Sequence, residues 1–242
     1  MNRKELVPIQ MLPLSDNAIV LQFEDEVSEA IHTKISAVAH YLEQHTFPGM
    51  IEFVPAYTTL TIYYDPWLLS NKGKTNPYDA IVAQLQQVLL EAKKQKKGKA
   101  RLIKVPVCYG GMYGPDLEEV ARHNNLSPSE VIKLHSDTTY LVHMMGFAPG
   151  FPYLGGMDER IATPRRSDPR KAIPKGSVGI AGQQTGIYPI ETPGGWQLIG
   201  RTPLELFNPD RTQPSLLKAG DKVMFVPISE DEFKKQAEQH EH

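Results

Sequence analysis

The sequence predicts an α+β chain in two parts, and three observations carry that reading. The first hundred residues alternate β-rich runs with two helix-period apolar stripes. Only Gly49, Gly73 and Gly98 precede Gly110, so 15 of the 18 glycines lie at or after it. Beyond Asp137 the periodicity gives way to short β-prone runs broken by Gly and Pro. A length of 242 residues suffices for one large domain or two small ones. The expected division is an α/β ferredoxin-like domain over residues 1–98, a β-barrel over 99–230 and a polar tail over 231–242.

In the first part, residues 6–12 and 18–23 read as two short strands. They are joined by Ser15, Asp16 and Asn17, types that bond their own backbone in turns. Ser28 is placed to cap a helix whose Ile31, Ile35, Val38 and Leu42 recur at steps of four, three and four, giving one apolar face. Pro48-Gly49 ends it. Ile51–Val54 and Thr59–Tyr64 are β-rich. Asn76-Pro77 opens a second helix, with Pro77 at the first position, where a missing N–H goes unnoticed. Ile81, Leu85, Val88 and Ala92 form its stripe. Arg101–Val107 is a further strand, so from the second strand onward the order is β-α-β-β-α-β, the split βαβ arrangement of ferredoxin-like domains. Lys93–Lys104 holds six Lys and one Arg. Cations complement a helix C-terminus, so a solvated helix end and linker is favoured there over an anion or nucleic-acid patch.

In the second part, Pro115 is expected to begin a short helix running through Arg122. Ser127-Pro128-Ser129-Glu130 is a capping-box pattern opening another. Thr139–Met145, Ser177–Ala181, Gly186–Glu191, Gln197–Gly200 and Lys222–Pro227 read as strands. Their spacing suggests a closed or nearly closed β-barrel with two small helices. Glu230–His242 is polar and expected as a fraying helix.

Composition excludes several classes. Lys+Arg is 26 and Asp+Glu 28, a net charge of −2 that argues against a general nucleic-acid binder. A hydrophobic fraction of 40% and a charged fraction of 22% are those of an ordinary globular protein, not a disordered one. The opening residues MNRKELVPIQ lack the apolar segment of a secretory signal. No run approaches the roughly 18 apolar residues of a membrane span, so a cytoplasmic location without membrane association is expected. Cys108 stands alone, which excludes an internal disulfide and a zinc site of its own kind. With no base nearby in sequence, a buried structural role is favoured over a nucleophilic one. Gly73-Lys74-Thr75 ends like a P-loop, but Leu68 occupies the position of its first glycine. Gly176-Ser177-Val178-Gly179 resembles a nucleophile elbow with Lys175 where glycine is required. The histidines are scattered, and no metal-ligand set is expected.

The chemistry-bearing residues concentrate between 143 and 203. In the stretch from His143 to Gly156, Gly and Pro alternate with Phe147, Phe151 and Tyr153, giving an irregular but stiff backbone that positions groups or exposes amides. His143 itself is either a satisfied structural histidine or a base. Arg165, Arg166, Arg170, Lys171 and Lys175 concentrate cations beside a loop, which suits a carboxylate or phosphate, or simply a solvated basic surface. Gln184, Thr192 and Trp196 fit a polar pocket with an apolar wall, unless the glycines around them only turn barrel corners.

Three stretches resemble one family. Gly-Phe-Ala-Pro-Gly-Phe-Pro-Tyr-Leu from Gly146 to Leu154, Pro-Lys-Gly-Ser-Val-Gly-Ile-Ala-Gly from Pro174 to Gly182, and Thr-Pro-Gly-Gly-Trp from Thr192 to Trp196 are similar to the KipI family. That family is also called the 5-oxoprolinase B-subunit family or allophanate hydrolase subunit 1. Val107–Glu119 also resembles its signature, with Met112-Tyr113 where Glu-Phe is usual, a departure that weakens a catalytic role for that loop. The length and the lysine-rich linker are most similar to Bacillus members. The resemblance implies an N-terminal α/β domain and a C-terminal cyclophilin-like barrel. It implies a component of an ATP-dependent 5-oxoprolinase, which opens the lactam of 5-oxo-L-proline to L-glutamate, working together with the A and C subunits of that enzyme. It also implies inhibition of a sporulation histidine kinase through its dimerisation domain, relieved by an antagonist related to the C subunit. A pure kinase inhibitor and a carboxyltransferase component of a urea carboxylase, with biotin on a partner, are the alternatives.

Lactam opening needs an activated electrophile, and ATP as co-substrate supplies one by phosphorylating the lactam oxygen. Arg165, Arg166 and Lys175, with Gln184 and Thr192, are the expected substrate- and phosphate-binding residues. His143 and Tyr153 are the expected proton carriers. Without a P-loop the chain alone is expected to be inactive. Kinase binding needs an apolar wall, for which Phe147, Phe151, Tyr153, Leu154 and Trp196 are candidates unless they are barrel core.

Overall fold

A computed structural model describes residues 9–24, 28–94 and 100–240. Residues 6–8 of the first expected strand, Lys96, Lys97 and Lys99 of the basic stretch and the last two residues of the tail lie outside the described residues. Contacts divide the chain into two compact units, Met1–Lys99 and Ala100–His242.

In the first unit, β1 (Gln10–Ser15) and β2 (Ala18–Gln22) form a hairpin across Asp16-Asn17, where the Ser15 hydroxyl donates to Asn17 Oδ1. In α1 (Glu29–Gln44) the Ser28 hydroxyl accepts the Ile31 N–H at 3.2 Å, an N-cap that satisfies one of the orphan donors of the first turn. β3 (Met50–Pro55) pairs antiparallel with β4 (Thr59–Tyr64). A short α2 (Pro66–Leu69), absent from the sequence reading, follows because the Asp65 carboxylate accepts the Trp67 and Leu68 N–H groups. α3 (Pro77–Lys94) completes the unit. The sheet order is β1-β2-β4-β3. The predicted stripes of α1 and α3 are buried against alternate residues of β2 and β4, among them Ile19, Leu21, Leu60 and Ile62.

One strand changes place. The ferredoxin-like pattern expects Arg101–Val107 at the edge of this sheet, beside β2. That edge is occupied by β1, while the later strand, β5 (Leu102–Tyr109), belongs to the second unit. Hairpin pairing of β1 and β2 closes a two-residue turn and so costs little chain entropy. Val105 and Val107 of β5 are fully buried in the other core.

The second unit continues through α4 (Leu117–His123), α5 (Pro128–Ser136), β6 (Thr139–Met145) and β7 (Pro152–Gly155). A single 3₁₀ turn at Glu159–Ile161 leads to β8 (Arg170–Ile173), β9 (Ser177–Ala181) and β10 (Gln184–Ile187). Then come β11 (Thr192–Gly194), β12 (Gln197–Arg201), β13 (Lys222–Pro227) and α6 (Glu230–His240). Seven described strands close into a barrel in the order β10-β7-β6-β13-β5-β12-β9, with β13 parallel to β5. β8 and β11 form a separate ribbon. The strand expected over Gly186–Glu191 starts earlier and ends at Ile187, before Pro189, which cannot donate to a ladder. α5 opens on the full capping box of Ser127 and Glu130. α6 is polar apart from Ala237 and Phe233, whose ring packs on Tyr113 at 4.5 Å between centroids.

α5 buries His135 completely within the second unit. Its Nδ1 lies 2.7 Å from the Tyr109 hydroxyl and its Nε2 2.9 Å from Thr185 Oγ1. Thr185 spends its only proton on Gly179 O, so it accepts from Nε2–H, and the bare Nδ1 accepts from Tyr109. Burial lowers the His135 pKa to about 3, so the ring is neutral. Cys108 is also buried, and burial, reinforced by Glu230, pushes its thiol pKa up.

Candidate functional site

The site is organised by a carboxylate in the Val107–Glu119 stretch. Gly110 and Gly111 take positive φ, and the chain turns back onto β12. Gly114 lies so close to it that a methyl group there would stand 2.0 Å from Ile199 O. The turn delivers Asp116 to Leu198: the Asp116 N–H donates to Leu198 O at 2.8 Å, and the Leu198 N–H donates to Asp116 Oδ2 at 2.7 Å. The other carboxylate oxygen accepts from Arg166 Nη1 at 3.0 Å and Arg170 Nη2 at 2.8 Å. Asp116 is 4% exposed, so these charge-assisted bonds form largely out of water, where they are strong. One buried anion thus orients two cations from a loop about fifty residues away.

Two clefts adjoin this arginine loop, and Arg165 lines both. The polar cleft, of about 470 Å³, is walled by Glu119, His123, Thr163, Arg165, Arg166 and Gln197. Glu119 is paired with Arg122, whose hydrogen bonds hold its carboxyl below the usual range. The aromatic cleft, of about 360 Å³, is walled by Phe147, Phe151, Tyr153, Tyr188, Trp196 and Arg165. Phe151 stands edge-to-face against Tyr153, Tyr188 and Trp196 at 5.2–5.6 Å, a mutually supporting arrangement of ring quadrupoles. Burial pushes the Tyr188 phenol up to about 12, although the Trp196 N–H, Arg165 and Arg170 pull it the other way. Phe147 adopts φ +67° and is 67% exposed, a left-handed backbone that presents its ring at the mouth. Together the clefts suit a small ligand with an anionic group: the arginines stabilise charge, and the rings take an apolar or planar face.

The expected site residues are placed unequally. Arg165, Arg166, Tyr153 and Trp196 line the clefts. Lys175 does not: it sits in an exposed turn, its carbonyl accepting from Arg201 Nε. Gln184 and Thr192 are half-buried on β10 and β11 and line neither cleft. His143 is 8% exposed and lies against Gly155, where a methyl would stand 2.1 Å from Nε2, and it lines neither cleft. Of the expected apolar wall, Phe151, Leu154 and Trp196 are interior, Leu154 in the main barrel core. Phe147 alone of the five is exposed. Sequence reasoning missed Asp116, His123 and Gln197. An acidic residue between Gly-Pro and an apolar helix start is the signal that marks Asp116. Among the described residues, no three of His, Cys, Asp and Glu converge as metal ligands, and no helix is long and apolar enough to cross a membrane.

Comparison with known proteins agrees with the barrel. The family described as "Carboxyltransferase domain, subdomain C and D" matches residues 9–217. The urea amidolyase of Kluyveromyces lactis shares the fold at a TM-score of 0.72 and 22% identity, covering 98% of this chain and 16% of that one. This defines the class, a carboxyltransferase-type barrel protein. Within it, the chain is 50% identical over 230 residues to the B subunit of 5-oxoprolinase from Bacillus subtilis (strain 168), covering 94% of this chain and 96% of that protein. It is 44% identical to the protein of the same name from Escherichia coli O157:H7, covering 90% and 95%. The chain belongs to the 5-oxoprolinase B-subunit family.

Proposed function

We propose that this chain is the B subunit of an ATP-dependent 5-oxoprolinase and that the arginine loop with its two clefts is its contribution to the site. The observation that carries the reading is the end-to-end similarity to the Bacillus subtilis protein of that name. The chemistry fits. Phosphorylating a lactam oxygen accumulates negative charge, and an arginine set preorganised by a buried carboxylate stabilises such charge without reorganising. The aromatic rings exclude water from a reactive phosphorylated intermediate. A binding site for the whole nucleotide is supplied together with the other components of the enzyme. The test is 5-oxoproline-dependent ATP hydrolysis by this chain alone, by the A and C subunits without it, and by all three. Turnover confined to the full mixture is expected. Turnover by this chain alone, or undiminished turnover without it, overturns the reading.

A second reading, a carboxyltransferase component receiving carboxyl groups from a partner's biotin, is favoured by the family description. Carboxyl transfer from free carboxybiotin in a mixture that lacks oxoprolinase activity distinguishes it. Binding to a histidine-kinase dimerisation domain is tested with the full chain and with Phe147→Ala, since Phe147 is the exposed member of the expected wall.

A further inference from the structure

The polar cleft holds an unmet hydrogen-bonding requirement. Gln197, at the start of β12, is 7% exposed, and its Nε2 donates to Pro164 O at 3.0 Å. That carbonyl settles the amide's orientation, because only the NH2 end can face an acceptor. The other end, Oε1, is buried without a partner. A buried amide oxygen lacking a donor destabilises the empty cleft, and a ligand N–H delivered to it recovers that loss. In the same cleft stand Arg165 and Arg166. Arg166 is already held by Asp116, whereas no hydrogen bond or ion pair of Arg165 is found among the described residues. Glu119, the acidic group in the wall, is neutralised by Arg122. The cleft is therefore complementary to a ligand that brings one anionic group and one N–H donor.

A phosphate satisfies the arginine but offers nothing to Gln197. A cyclic lactam carboxylate satisfies both, because its N–H and its carboxylate are borne by neighbouring ring atoms. We propose that the polar cleft is the subsite for the lactam amino acid, Arg165 taking the carboxylate and Gln197 Oε1 accepting the lactam N–H. This assignment rests on the oxoprolinase reading and makes Gln197 the residue that separates a lactam from its carbocyclic analogue.

The experiment uses the reconstituted complex with three probes: 5-oxo-L-proline, 3-oxocyclopentane-1-carboxylate, in which a methylene replaces the N–H, and the neutral 5-oxoprolinamide. Gln197→Met is expected to raise the KM for 5-oxoproline about tenfold, leave the KM for ATP unchanged and leave inhibition by the cyclopentanone unchanged. Arg165→Met, at an exposed position that does not threaten folding, weakens both carboxylates and leaves the amide as weak as before. A lactam-to-ketone preference that survives Gln197→Met in a folded complex overturns the proposal, as does an Arg165→Met variant with unchanged carboxylate affinity. If no mixture turns over, direct titration of the full chain with the same probes separates the two ideas. Binding of the lactam that Gln197→Met abolishes keeps the subsite and removes the enzyme reading. Absence of binding removes both.

Discussion

The two units bury different things. Among the described residues, the first unit's core is apolar except for His32 and Ser70, whereas the second buries Asp116, His135, His143, Gln197 and Asp221 as well as several hydroxyls. An apolar core tolerates any register that hides its stripes. A core with buried carboxylates and amides tolerates only arrangements in which each finds its partner, since an unmet buried charge is expensive. The second unit is therefore the one in which loops are held in unique positions, and it is the one that carries the clefts.

Tryptophan placement makes the contrast measurable. Trp67 lies in the first unit and is 60% exposed, while Trp196 is in the barrel unit and 7% exposed. In a Trp67→Phe background, fluorescence reports the second unit alone. The largest expected effect is that of Gly114→Ala, whose methyl meets a backbone oxygen at 2.0 Å that cannot swing aside. About 4 kcal/mol or more is expected from Trp196 melts, with amide exchange of α1 and α3 unchanged. Equal loss of protection in both units refutes the separation. Next is Asp116→Ala, which strands the Leu198 N–H and frees Arg166 and Arg170. A loss of about 3 kcal/mol is expected in the same melts, with weakened 5-oxoproline binding. Asp116→Asn, which keeps one acceptor, falls between.

The pH response sharpens the comparison. His135 titrates near 6.5 when unfolded and at about 3 when folded, so the unfolded chain binds the proton first. The stability it confers is complete above about pH 6.5 and is lost progressively as the pH falls toward 3. Between pH 7 and pH 4.5 the barrel is expected to lose about 2.5 kcal/mol through this group. His135→Gln, less stable at pH 7, removes that part of the slope. A slope unchanged in the variant assigns it to other groups. The smallest effects are expected where the units are alike: Ser28→Ala and Ser127→Ala each delete one helix cap and cost about 1 kcal/mol, read by chemical denaturation. A much larger cost for Ser127 reveals coupling of α5 to the His135 network.

Local features were legible residue by residue. The stripes of α1 and α3, the caps at Ser28 and Ser127 and the hairpin turn at Asp16-Asn17 depend on neighbours within about one helical turn. The barrel was legible as a class, from short strands at Gly-rich spacing. The partner of β5 was not, because periodicity identifies a strand and not the sheet it joins. Of the cationic residues, Arg165 and Arg166 reached the clefts and Lys175 did not, although all three read alike in sequence. Asp116 lies fifty residues from Arg166 and eighty-two from Leu198, and nothing local announces either bond.

The sequence by itself determined the two-part α+β organisation and the family, because composition, periodicity and contiguous motifs are properties of neighbours along the chain. Tertiary structure alone decided that Asp116 gathers the arginines, that His143 is buried against Gly155, that β1 takes the sheet edge left by β5 and that Gln197 keeps an unanswered acceptor. Those outcomes depend on which distant groups meet out of water, where an unpaired charge or amide is costly enough to select one arrangement.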